Sequence, residues 1–329
     1  MFNIEIYLDS LPEDIEEIDV SNKGIKKLDV TRFKNLKTLN CNNNQLTCLY
    51  LNENLQQLHC ENNYLTSLHS NENLQGLRCY NNYLTSLHLN ENLQTLWCFH
   101  NQLTSLHLNE NLQTLYCSYN RLTTLCINEN MEILVCDNNY LTSLQLNENL
   151  RELYCFNNEL TSLHLNENLQ ILYCHNNQFT SLHLNEKLQG LYCSLNKLTC
   201  LHLNENLQTL YCDNNQLTSL HLNETLNFLD CSDNQLTSLH LNEKLKTIVY
   251  NDNPIYEIIN SFAIDIIKRK LRVLNQFKYL YYSLKFKKRL RDILWVKIRE
   301  PKIRMKYSHN YLVEHLHEET DLDELLENW

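Results

Sequence analysis

The chain has 329 residues, with three glycines, three prolines, fourteen cysteines and a formal net charge of −11. That length admits two or three ordinary domains, and so little glycine and proline leaves the turns to asparagine, which tolerates left-handed backbone and bonds within its own turn. No apolar run approaches the ~20 residues a membrane-spanning helix needs, and the start, MFNIEIYLDSLPEDIEEIDV, lacks the basic and apolar regions of a signal peptide, so a cytoplasmic, reducing setting with free thiols is expected.

The first element is a loose repeat from Ile15 to Val30, with Val20 and Lys23 where later repeats place Cys and Asn; residues 1–35 are expected to cap the N-terminal end. From Leu36 the pattern is strict: L-x-x-L-x-C-x-x-N-x-L-T-x-L-x-L-N-E-N runs for twelve repeats, to about Ile255, with a period of nineteen. Apolar residues at positions 1, 4 and 6, and again at 11, 14 and 16, make the unit two copies of one shorter phrase. The alternating L-x-C and L-x-L pieces read as strands. Nineteen residues crowded with Thr, Ser and Asn leave little room for a helix. Each repeat is expected to be a flattened coil with a short strand on either side, stacked into two parallel sheets around one leucine core.

The phrase L-x-x-L-x-C-x-x-N-x-L resembles the leucine-rich repeat, with Cys in place of the third leucine, and the resemblance covers residues 36–255. The period looks most like the short, nested class, in which a strand replaces the convex helix. The expected fold is a leucine-rich-repeat solenoid with parallel β-strands on the concave and convex sides and few or no repeat helices, followed by an α-helical C-terminal region.

Position 6 holds Cys41, Cys60, Cys79, Cys98, Cys117, Cys136, Cys155, Cys174, Cys193, Cys212 and Cys231. This column reads as a wall of the core, since free Cys is among the most buried residue types. Side chains on adjacent parallel strands point the same way, which disfavours disulfides, and a straight column among leucines offers no coordination shell. Cys48, Cys126 and Cys200 fall in Ser or His columns and read as incidental. Asn at position 9, from Asn44 to Asn253, is expected to bond its own turn and the backbone of the next.

In a leucine-rich repeat the outward residues of the first strand line the concave face; here these are positions 3, 5 and 7. Position 5 carries Arg78, Trp97, Tyr116, Tyr154, Tyr173, Tyr192 and Tyr211, and position 7 adds Tyr80, Phe99 and Phe156. These ten form the candidate partner-binding surface, because aromatics with polar tips are enriched in hot spots and extended apolar patches mark interaction sites. The competing reading is that the rings pack on one another and were copied by duplication. Variation at His59, Arg78 and Trp97 tips the balance towards binding. Position 15 carries His69, His88, His107, His164, His183, His202, His221 and His240, and position 18 carries Glu from Glu53 to Glu243. These read as a solvated convex face in preference to metal ligands. Gly24, Gly76 and Gly190 form neither a phosphate loop nor a nucleophile elbow, and the region after the repeats has no Cys for an appended thiol-ligase domain. No catalytic, cofactor or metal residue is assigned, and the chain is expected to be non-enzymatic.

Beyond the repeats, Ile266, Ile267, Leu271, Leu274, Tyr281 and Leu284 recur at helical spacing, and a second helix is expected from Leu290 to about Ile298, before Pro301. Residues 256–306 are expected to form a basic helical cap and 307–329 an acidic tail. Residues 261–306 carry +12 and the tail −7, which leaves −16 for the remaining 260 residues. The run KFKKRLRDILWVKIR reads first as a solvated face and second as a contact for nucleic acid or an anionic surface. The end, REPKIRMKYSHNYLVEHLHEETDLDELLENW, resembles a C-terminal segment shared by many proteins of mimivirus-like giant DNA viruses of amoebae, at Arg299-Glu300-Pro301, Tyr307-Ser308, Tyr311-Leu312 and Leu322-Asp323 through Trp329. That resemblance implies a viral protein of the host cytoplasm or virion, with an amoebal protein as partner. The expected function is a protein–protein interaction scaffold acting through the concave aromatic face. The alternatives are a structural or virion-assembly component, and a binder of nucleic acid or an anionic surface through residues 268–306.

Overall fold

An apolar residue at position 4 with polar or aromatic neighbours at 3 and 5 sets the inside and outside of every turn. In the computed structural model, which describes residues 2–69, 71–294 and 300–301, positions 3–5 form three-residue strands from Glu17–Asp19 to Thr247–Val249. Thirteen of them make one parallel sheet in which each strand pairs with those of the adjacent turns. Like positions face each other: Leu153 lies beside Leu172 and Tyr154 beside Tyr173. The register is fixed because a slip of one residue would turn every inward leucine to solvent. The opposite side carries sparser parallel pairing, with Lys27–Asp29 against Cys48–Tyr50 and single bridges joining His164 to His183, His202 to His221 and His221 to His240. The turns from Ile15 to Asn253 contain no helix among their described residues. The architecture is a parallel-strand solenoid of about twelve regular turns.

The leucines at positions 1, 4 and 11 enclose the cysteine column, and all eleven of its members are fully buried. Burial among apolar neighbours pushes the Cys98 thiol up to about 12 and Cys136 and Cys174 well above their ordinary value. The thiolate, which is the reactive form, is therefore suppressed.

Asparagine does three separate jobs. Position 8 is left-handed in every turn, with φ between 49° and 58°, from Asn22 and Asn43 to Asp252. His100, Tyr119 and Leu195 occupy this conformation too, against the steric preference of residues bearing a large side chain. Position 9 holds the buried ladder. Asn158 donates through Nδ2 to the carbonyls of Cys136 (3.1 Å) and Cys155 (3.2 Å) and accepts at Oδ1 from the amide of Leu141 (2.9 Å). The ladder thus serves its own turn and the preceding turn, not the next one as expected from sequence. Direction explains the cap: Asn44 bonds the Val20 carbonyl and the amides of Lys23 and Ile25, so the first turn is satisfied although Lys23 replaces its asparagine.

A second buried ladder runs at position 17, where Asn128 donates to the carbonyls of Asn109 (2.5 Å) and Leu112 (2.9 Å). The expectation that position 16 points inward, as a copy of position 6, is therefore corrected. Leu108, Leu146 and Leu165 are half-buried while Asn109, Asn147 and Asn166 beside them are buried. With few strand bonds on this side, the carbonyls of positions 1 and 17 need donors, and an amide supplies them where a leucine cannot.

The chain divides into two compact units, Met1–Lys268 and Arg269–Trp329. The first begins with helix α1, Ile4–Asp9, whose N-cap Asn3 accepts from the amides of Glu5 and Ile6, and Arg32 pairs with Asp9 at 2.8 Å. At its other end helix α2, Pro254–Ile259, buries Ile255 and Ile259. In the last turn Tyr250 replaces Cys, and its hydroxyl donates to the Ser261 carbonyl at 2.8 Å. Helix α3 runs unbroken from Ile264 to Leu294, where two helices were expected. The segment between Leu284 and Leu290 is KFKKR, which contains no glycine or proline to break it. The end of the expected second helix, and the segment from Lys302 for which a giant-virus likeness was expected, lie outside the described residues.

Candidate functional site

The long sheet presents positions 3 and 5 outward on its strands and position 7 just after them. All ten sequence-predicted partner residues lie on this face, and the structure sorts them into two groups. The first is irregular. Tyr80 stacks on Phe99 with centroids 4.2 Å apart, Trp97 meets Tyr116 at 5.0 Å and a 44° tilt, and the Arg78 guanidinium lies over the Trp97 ring at 4.5 Å. The second is a regular column. Tyr154, Tyr173, Tyr192 and Tyr211 stack with centroid separations of 4.6, 3.8 and 4.9 Å and interplanar angles of 15° or less. Val135, Asp137 and Ser118 fall between the two groups.

Two members escaped sequence reasoning. Phe228 extends the tyrosine column, 4.6 Å from Tyr211, and His175 stacks on Phe156 at 4.3 Å. Phe228 stands at outward position 3 and His175 at position 7, so counting every aromatic ring in those columns would have found both.

Stacking decides what each group displays. In the column, ring faces cover one another, so neighbours present edges and hydroxyls to solvent. Burial first, and then contact with Tyr173, push the Tyr192 hydroxyl up to about 12. In the irregular group the tilted rings of Trp97 and Tyr116 leave faces less completely matched. Polar groups here are also less satisfied: Glu61 is only 5% exposed, accepts from the Asn42 amide at one oxygen (2.9 Å), and has no partner at Oε2, while Trp97 Nε1 is enclosed without one. Farther along, Asp137 accepts from the Ser118 hydroxyl at 2.6 Å and Asp213 from the Ser194 hydroxyl. Burial holds the His59 and His175 imidazoles below their ordinary range.

Cys48, Cys126 and Cys200 are exposed and the column cysteines are buried, all fourteen being free. Among the described residues no group of three or more His, Cys, Asp or Glu side chains is arranged to hold a metal, and no helix is long and apolar enough to cross a membrane.

No protein-family model and no curated protein matches this chain, but solved structures do. It is similar to YopM from Yersinia enterocolitica WA-314, with a TM-score of 0.71 and 28% identity over 75% of this chain and 57% of that one. The chain therefore aligns with little more than half the length of that protein. It is also similar to YopM of Yersinia pestis, a leucine-rich effector protein (TM-score 0.64, 27% identity, 72% of this chain and 78% of that one). A third is the functional domain of InlJ from Listeria monocytogenes, which includes a cysteine ladder (TM-score 0.60, 27% identity, 73% and 64%). The fold is that of leucine-rich-repeat proteins, and the resemblance extends to a ladder of cysteines.

Proposed function

We propose that the chain is a non-enzymatic scaffold that binds a protein partner on its concave aromatic face. The observation that carries this reading is the run of aromatic side chains from Tyr80 to Phe228 along one face of the long sheet, which core packing does not require because every one of them points away from the core. Twelve turns at ~4.8 Å give a face of roughly 55–60 Å, long enough for a helix or a small domain. The similarity to a leucine-rich effector protein supports the reading, and the giant-virus resemblance of the C-terminal segment makes amoebal lysate the first source of partners.

The test is affinity capture from that lysate with the intact chain and with a Tyr154/Tyr173/Tyr192/Tyr211→Ala variant shown by circular dichroism to stay folded. The expected result is a protein captured by the intact chain and lost with the variant. Unchanged capture by the variant would make the column a packing device. The exposed Lys285, Lys287, Arg289 and Arg291 of α3 favour a second reading, contact with nucleic acid. That contact would weaken steeply with salt and would survive the tyrosine substitutions.

A further inference from the structure

The concave face is acidic as well as aromatic. From Thr38 to Asn251 its columns 3, 5 and 7 contain five carboxylates, Glu61, Asp137, Glu152, Asp213 and Asp230, and one cation, Arg78. Two histidines share the face, and burial favours their neutral forms. One of the carboxylates is not internally matched: Glu61 is buried on an outward column, with Oε2 unpartnered. An unpaired oxygen in that position is costly unless something donates to it. The face also accepts a guanidinium already, since Arg78 lies flat over Trp97, a contact worth more when shielded from water. Phosphate is a poor occupant here, because five carboxylates repel it.

We propose that the concave face takes a Lys/Arg-rich segment of its partner, with cations pairing to the carboxylates that line the aromatic column and Glu61 as the anchoring acceptor. This rests on the reading of that face as the binding surface. The side chains divide the work: carboxylates select the charge of the partner and speed its approach, and ring edges and the Trp97 group supply apolar contact to the aliphatic stems of Lys and Arg.

The experiment is fluorescence anisotropy of labelled nona-arginine, nona-lysine and nona-glutamate peptides with the intact chain. Parallel titrations use a Glu61→Gln/Glu152→Gln/Asp230→Asn variant. The expected result is binding of both basic peptides, none of the acidic one, and weakening by about tenfold or more in the carboxamide variant. No binding to the intact chain, or equal binding with and without the three carboxylates, overturns the inference. Lysate capture that is lost in the tyrosine variant would leave the binding surface standing even then.

Discussion

At the scale of single residues, the asparagines decide whether the turns hold. A loop buried between stacked turns carries backbone groups that no strand reaches, and each one left unbonded costs ~1–3 kcal/mol. Asn158 satisfies the carbonyls of Cys136 and Cys155 and the amide of Leu141 from an 8% exposed position. Asn158→Ala is therefore expected to destabilise the repeat unit by about 2–4 kcal/mol in denaturant titration. Asn149 makes an exposed bond to the Glu129 carbonyl at 2.8 Å, where water can substitute, so Asn149→Ala is expected to cost less than ~1 kcal/mol. Equal losses in the two variants would mean that the ladder does not carry this load.

At the scale of elements, the tyrosine column couples strands that already share backbone bonds. Tyr173 lies 4.6 Å from Tyr154 and 3.8 Å from Tyr192. Burial and proximity keep Tyr192 protonated to about 12, against an ordinary value of 10.0. The folded state holds a proton that the unfolded state has lost, so this contribution is complete below about pH 10 and declines as pH rises from about 10 to 12. Tyr154 and Tyr211 are shifted in the same direction by burial and add to the decline. Tyr192→Phe is expected to flatten the fall in denaturation midpoint between about pH 10 and pH 12, without removing it. An unchanged slope would mean that the Tyr192 hydroxyl is not held in its protonated form. Helix α3 shows continuity of another kind: KFKKR contains nothing that stops a helix, and the helix runs through it.

At the scale of the whole repeat unit, each strand pairs only with those of adjacent turns, and stability is a sum of turns and interfaces. Removing residues 150–168 excises one period and brings Ile133 and Val135 opposite Ile171 and Tyr173, with every column continuous. The shortened chain is expected to fold, with the three exposed thiols reacting quickly and the ten remaining column thiols protected until denaturant is added. The intact chain is expected to protect eleven, matching its buried column. Loss of that protection in the shortened chain would show long-range cooperativity that nearest-neighbour stacking does not supply.

The sequence by itself determined the period, the inward direction of the leucines at positions 1, 4 and 11 and the burial of the cysteine column, because these follow from a repeated pattern that admits one inward face. It also placed the ten aromatic and basic residues on the outer face of the long sheet. Three features waited for the tertiary structure. The ninth position is Asn in all twelve regular repeats and is legible in sequence, but no residue type marks the eighth as left-handed. The left-handed residue is Asn22 or Asn43 in some turns and His100, Tyr119 or Leu195 in others, and the bonded asparagine stands beside it. Only the path of the backbone gives the eighth position its left-handed role. The inward turn of Asn109 in place of Leu108 follows from the carbonyls it serves, Leu93 in its own turn and Asn90 in the preceding one, and no single repeat contains both. The pairing of ring with ring follows from side-chain angles set by neighbours nineteen residues away. With it comes the difference between covered faces in the tyrosine column and the open, charge-bearing group around Glu61 and Trp97. A repeat fixes what each position faces, whereas contacts between repeats decide what each side chain does there.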